Sequence, residues 1–178
     1  LYASSGCDYT RTTGIWQTVW LEFVPDHHIQ SAKYYPDPAN GKVTVTGLVQ
    51  GQGTLQLTAL WEDKPVGEAA LSVEDGFFTV QLDLSETHLW EPGKGGLYTL
   101  LLSFGEDRVK SYFGLRTAKF QGRKFLLNGK SLFQRFVLDQ GFYPEGIYTA
   151  PTEEDLVKDI QLSFAAGFNG ARLHETVF

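Results

Sequence analysis

The stretch from Thr152 to His174, TEEDLVKDIQLSFAAGFNGARLH, decides what kind of fold this chain enters. The Thr152 hydroxyl suits a helix N-cap, and Asp155 stands three residues on, a capping box with aspartate in place of the usual glutamate. Glu153 and Glu154 fall in the first turn, where carboxylates are stabilised by the positive end of the helix dipole. Leu156, Ile160 and Phe164, with Val157 beside them, recur at helical spacing and give one apolar face. Gly167 supplies the stop, and Phe168 and Asn169 lead into a short strand from Gly170 to His174. Upstream, Leu132 to Leu138 reads as a nearly continuous apolar strand, broken only by Gln134 and Arg135. Strand, helix and strand over 132–174 is a βαβ unit, so its two strands are expected to run parallel.

The chain before this unit has a different grammar. From Ile29 to about Thr117, short alternating runs recur between glycines and prolines. Phe78, Val80, Leu82 and Leu84 share one face, with Thr79, Gln81 and Asp83 on the other. Val43, Val45 and Val49 repeat the pattern, as do Leu55, Leu57 and Ala59, and later Leu100, Leu102 and Phe104. Roughly seven strands in this span predict an immunoglobulin-like β-sandwich without its disulfide. Asn128-Gly129 after Phe125 to Leu127 is a hairpin signal. At the other end, Val19, Leu21 and Phe23 alternate with Trp20 and Glu22, which predicts a strand over 14–24, and Pro25 to His28 break it. The expected organisation is therefore a terminal strand over 1–25, a sandwich over 26–118 and the βαβ region over 119–178.

Composition narrows the function. Apolar residues make up 42% and aromatics 14% of 178 residues, enough for a sizeable core. A formal charge of −6 argues against nucleic acid or an anionic membrane as partner. Cys7 is the single cysteine, so no internal disulfide or cysteine metal cluster is expected, and the compartment leans to a reducing cytoplasm. There is no methionine, no apolar run of membrane-spanning length and no leader pattern. The first residue falls in mid-pattern, so a chain cut from a longer one is expected.

Ligands of parallel α/β folds sit at the carboxyl ends of the strands. That singles out Asp139 and Gln140 after the first strand, and Arg172, His174 and Glu175 at the end of the second. Arg172 and His174 share a face by period-two spacing. Together a guanidinium and an imidazole can bond hydroxyls or a carboxylate, as a sugar requires. The alternative is that Arg172 pairs with Asp139 inside a core. His27-His28 has no third ligand at useful spacing, and no nucleophile elbow or phosphate loop occurs. No metal and no cofactor is expected. Trp61 and Trp90 are read as packing residues rather than sugar platforms.

At this point the residues resemble a known family. Arg11 to Trp16 followed by Val19-Trp20-Leu21-Glu22 is similar to the end of the sugar-binding jelly-roll domain of glycoside hydrolase family 2, which includes β-galactosidases and β-glucuronidases. Leu89-Trp90-Glu91-Pro92 with Leu97 to Leu100 resembles the late strands of that family's immunoglobulin-like domain. Phe113 to Arg116 and Phe125 to Lys130 resemble the join into its (β/α)8 TIM barrel, and Gly167 to Arg172 its segment from helix 1 to strand 2. The family's β-galactosidases place a histidine three positions after this arginine, whereas here the order is Arg172-Leu173-His174-Glu175.

The resemblance implies a mainly β chain: a jelly-roll strand, a sandwich and the first βαβ part of a TIM barrel. It also implies a fragment of a retaining glycosidase, a hydrolase of carbohydrate metabolism that acts through two glutamates. In the family both lie on later barrel strands, and none of Glu145, Glu153, Glu154 or Glu175 matches them, so the fragment itself is expected to be inactive. A carbohydrate is the implied partner of the intact enzyme, and self-association through exposed barrel strands is expected. The competing expectation is a non-catalytic sandwich module used for interaction or spacing.

Overall fold

The computed structural model describes residues 13–15 and 17–174. It divides into two compact units, Glu22–Leu132 and a second that combines the remaining described residues.

Seven strands build most of the first unit: β1 (His28–Asp37), β2 (Lys42–Gln50), β3 (Gly53–Trp61), β4 (Lys64–Val73), β5 (Gly76–Asp83), β6 (Leu97–Phe104) and β7 (Asp107–Gly114). They form two antiparallel sheets, ordered β1-β2-β5 and β4-β3-β6-β7. The alternation read from the sequence is the alternation of burial. Val43, Val45, Phe78 and Leu82 of one sheet face Leu55, Leu57, Leu100, Leu102 and Phe104 of the other, all buried in one core. The chain is a mainly β protein with a β-sandwich.

The fourth strand stays beside the third because a two-residue loop closes their hairpin. Trp61 pairs with Lys64, and the intervening Glu62 and Asp63 both take positive φ, 48° and 63°. That turn matches the twist of the strands but suits Asn-Gly better than two residues that each carry a Cβ. Glu62→Asn with Asp63→Gly should therefore stabilise the sandwich by about 1 kcal/mol. The expected readout is a higher urea midpoint at unchanged slope; an unchanged midpoint would show that the loop carries no strain.

Gly47 interrupts β2 for a steric reason. A Cβ there would stand 2.0 Å from the Ser31 carbonyl oxygen and 2.7 Å from the Phe78 ring. The close approach follows from the irregular register of β1 between Ile29 and Ser31.

The long crossing from β5 to β6 is tied down by Tyr98. Its hydroxyl accepts from His88 N at 2.7 Å and donates to Glu86 O at 3.0 Å, while its ring stacks on Phe113 at 5.0 Å. Burial of the ring pushes the phenol pKa up, and the hydroxyl stays a donor. The arrangement is similar to the tyrosine corner found in immunoglobulin-like sandwiches. Trp61 stacks on His88 at 4.0 Å, and Arg116 lies over Trp90 at 4.8 Å, so both tryptophans pack against side chains.

A three-stranded antiparallel sheet follows: β8 (Ala118–Gln121), β9 (Lys124–Leu127) and β10 (Lys130–Ser131). Asn128 and Gly129 make its expected turn, with φ 50° and 77°. The Asn128 side chain accepts from Thr117 N at 3.0 Å and donates to Trp90 O at 2.9 Å, which binds this sheet to the sandwich.

Two expected strands change. The expected strand over 14–24 does not form at its described residues, 14, 15 and 17–24, and Leu21 and Phe23 are exposed; residues 1–12 and 16 of the expected terminal region lie outside the described residues. Alternation alone does not make a strand without a paired neighbour. The expected strand Leu132 to Leu138 is reduced to β11 (Phe136–Asp139). Leu132 N donates to Phe125 O, and the backbone of 133–135 is engaged by Asn169 rather than by a strand.

Candidate functional site

In the second unit, β11 and β12 (Gly170–Leu173) run parallel, joined by α1 (Glu153–Ala165). Both helix ends form as their residues dictate. Thr152 Oγ1 accepts from Asp155 N at 3.3 Å, and Thr152 N donates to Asp155 Oδ2 at 3.2 Å. At the other end Gly167, at φ 86°, donates to Phe164 O, and Phe168 N donates to Ser163 O, a Schellman pair. Asn169 then fixes where the next strand begins. Its amide donates to Phe133 O at 2.8 Å and accepts from Arg135 N at 2.9 Å, while Arg135 Nε donates to Gly167 O at 2.8 Å.

This clamp sets the register: Phe136 with Gly170, Leu138 with Arg172, Asp139 with Leu173. The two carboxyl ends are level, and His174 N donates to Asp139 O at 2.9 Å, carrying the pairing one step further. Gly170 is required opposite Phe136, because a Cβ there would meet that ring at 2.5 Å.

Register also sorts the candidate residues. Partners in a parallel pair share a face, so Arg172 lies on the face of Leu138 and Phe136, with His174 next along the same side. Asp139 alternates to the other face, where it lines a cavity of about 520 Å3 with Val137, Ala171, Ile160, Tyr143 and Asp159. The Arg172–Asp139 ion pair considered from the sequence is accordingly absent among the described residues. Asp139 Oδ1 instead accepts from Gly141 N at 2.8 Å and turns the chain at the strand's end. Gln140 and His174 are half-buried and Arg172 is exposed. Glu175 lies outside the described residues.

One pair escaped the sequence reading. Tyr143, in the loop after β11, donates through its hydroxyl to Asp159 Oδ2 of α1 at 3.0 Å. The same residue exchanges two backbone hydrogen bonds with Ile147, at 2.8 and 2.9 Å, and Ile147 is held at φ 60°. A β-branched residue is rarely found there, so the surrounding bonds must impose that conformation.

Burial, and then the Asp159 carboxylate, push the Tyr143 phenol pKa up to about 12. The folded value exceeds the unfolded one near 10. This contribution to stability is therefore whole below about pH 10 and lost as pH rises through about 12. In a phenolate-absorbance titration, Tyr143 should ionise late, as the buried Tyr98 also should, and Asp159→Asn should bring Tyr143 alone earlier. Tyr143 titrating together with the exposed tyrosines would refute the bond.

The β-sandwich is shared with known proteins. The glycosyl hydrolases family 2 model matches residues 26–116, and the chain belongs to that family. It is 28% identical over 172 residues to a β-galactosidase of Lactococcus lactis, covering 93% of this chain and 17% of that protein. It is 30% identical over 106 residues to a β-glucuronidase of Paenibacillus borealis, covering 51% of this chain and 18% of the other. Among solved structures, the Faecalibacterium prausnitzii β-glucuronidase superposes with a TM-score of 0.72 at 27% identity, over 86% of this chain and 25% of that one. The chain thus spans at most a quarter of the length of these relatives.

Proposed function

We propose that this chain is part of a retaining β-glycosidase that hydrolyses O-glycosidic bonds of a β-galactoside or β-glucuronide. In this reading 1–25 ends a jelly-roll sugar-binding domain, 26–118 is the immunoglobulin-like sandwich, and 119–178 begins a TIM barrel. The observation that carries it is the parallel pair β11/β12 with Arg172 and His174 at its carboxyl edge, behind a sandwich of family 2. Substrate in a barrel meets the residues at the carboxyl ends of its strands. Arg172 and His174 would bond sugar hydroxyls or a uronate carboxylate. Gln140, Asp139 and Glu175 belong to the same rim, with Asp139 shaping the loop through Gly141 rather than reaching across to Arg172. The two glutamates that a retaining mechanism sets about 5 Å apart come from other strands of the barrel.

The chain by itself should release no nitrophenol from nitrophenyl β-galactoside or β-glucuronide. Turnover that survives re-purification and vanishes with Glu175→Gln would overturn this reading. In the whole enzyme, Arg172→Ala should lower kcat/KM by a factor of roughly 10 to 150, the loss of about 1.5–3 kcal/mol for one charge-assisted bond. Its melting temperature should stay within about 2 °C, as for an exposed side chain. A lowered melting temperature with unchanged kinetics would make Arg172 a structural residue.

A further inference from the structure

The outer face of the four-stranded sheet carries a separate concavity of about 320 Å3. Its floor follows from the strand register. Gln56, Ser103 and Arg108 form one cross-strand row, and Thr58, Leu101 and Lys110 form the next. These side chains alternate with the buried Leu57 and Leu102, so they face solvent. Tyr112, two residues past Lys110 on the same face, is 67% exposed.

The chemistry of this floor is sorted. Gln56, Thr58 and Ser103 are neutral and can each donate and accept. The Ser103 hydroxyl and the Gln56 carbonyl are 3.5 Å apart, a bond long enough to be exchanged for one to a ligand. Leu101 and the Tyr112 ring add apolar surface. Arg108 and Lys110 line one side, and no carboxylate lines the concavity, in a chain whose net charge is −6. Among the described residues neither cation forms an ion pair. Arg108 Nη1 donates to Gly105 O and Asp107 O, both at 2.7 Å, which fixes the guanidinium in place. The row of Lys110 ends at Glu68 on the far edge strand, so the charge changes sign across the face.

We infer that this face binds an oligosaccharide that carries anionic groups. Sugar hydroxyls would be met by Gln56, Thr58 and Ser103, an apolar sugar face by Leu101 and Tyr112, and the anionic group by Arg108 and Lys110. A sugar brings hydroxyls, an apolar ring face and an anionic group within one residue's span, which matches the neutral rows, Leu101 and Tyr112, and the two cations together; an acidic peptide is the competing outcome of the test. The inference stands on this face alone and does not depend on the glycosidase reading.

The test is a titration of the full chain at about 0.15 M salt, where charges beyond roughly 8 Å are screened. The ligands are hexameric oligogalacturonate, a heparin hexasaccharide, a neutral galacto-oligosaccharide of equal length, and hexaglutamate. Amide shifts should cluster on β3, β6 and β7 with one or both acidic sugars, and which of the two binds tells whether carboxylate or sulfate is preferred. Calorimetry should show affinity falling about tenfold in Lys110→Ala, the size of one charge-assisted bond, and holding in Lys33→Ala on the other sheet. Thr58→Ala with Ser103→Ala should weaken the acidic sugar and leave any residual hexaglutamate binding unchanged. Hexaglutamate binding as tightly as the sugars would reduce the face to general polyanion attraction. No shifts at millimolar ligand, or shifts confined to other strands, would overturn the inference.

Discussion

Tyr98→Ala should remove about 3–5 kcal/mol of stability from the sandwich, the range for emptying a buried aromatic site. A single domain commonly has about 5–15 kcal/mol in all. Two losses combine. The ring is fully buried and stacks on Phe113, with Trp61 at 5.0 Å, so its removal leaves a cavity between the sheets. The hydroxyl also holds the β5–β6 crossing through His88 N and Glu86 O. Tyr98→Phe isolates the second loss and should cost about 1–3 kcal/mol, because two backbone groups then lose their partner. It should also loosen His88 against Trp61, which near-UV circular dichroism would register. A Tyr98→Phe protein with wild-type midpoint and spectrum would mean that water replaces the hydroxyl and that the corner is held by ring packing alone.

Residues whose partners lie close in sequence announced their structure. Thr152 and Asp155 form the capping box at the helix start, Gly167 ends that helix, and Asn128-Gly129 turns the β9–β10 hairpin. Alternation placed Val43, Leu82 and Leu100 in the core, because the side-chain period of a strand requires only that one face be covered. What was not legible depended on distant partners. Leu132 to Leu138 looks like one apolar strand, yet an asparagine 34 and 36 residues further along takes the backbone of Arg135 and Phe133. Glu62-Asp63 lacks the usual signature of a two-residue turn, so the choice of β3 as partner for β4 was hidden. The separation of Arg172 from Asp139 needed the register, since a shift of one residue would have put them on the same face. The Tyr143–Asp159 bond left no trace in spacing, because its loop conformation includes an isoleucine at positive φ.

Hydrogen exchange should separate the two units by at least about a hundredfold in rate, since sandwich amides open only near the global unfolding energy while a marginal unit opens at far lower cost. The sandwich closes its own core: four strands and three strands enclose Val43, Leu55, Phe78, Leu100 and Phe104 between them. Among the described residues, the parallel pair β11/β12 lacks such cover on the face of Phe136 and Leu138. Phe136 and Leu138 on one face are about half exposed, as are Leu156, Ile160 and Phe164 of α1. Parallel strands are ordinarily buried on both faces, and a two-stranded sheet leaves unpaired backbone groups along both edges. In the glycosidase reading, further barrel strands and helices supply that cover, and on that reading the chain alone is expected to open these elements or to cover them with a second copy. Slow exchange over β2, β3, β5 and β6 with fast exchange over 133–174 is therefore expected in a dilute monomer. Raising the concentration should slow exchange in β11, α1 and β12 alone and raise the mass seen in sedimentation. Uniformly slow exchange across 133–174 in a proven monomer would show that this unit completes its own fold, and the barrel reading would fall with it.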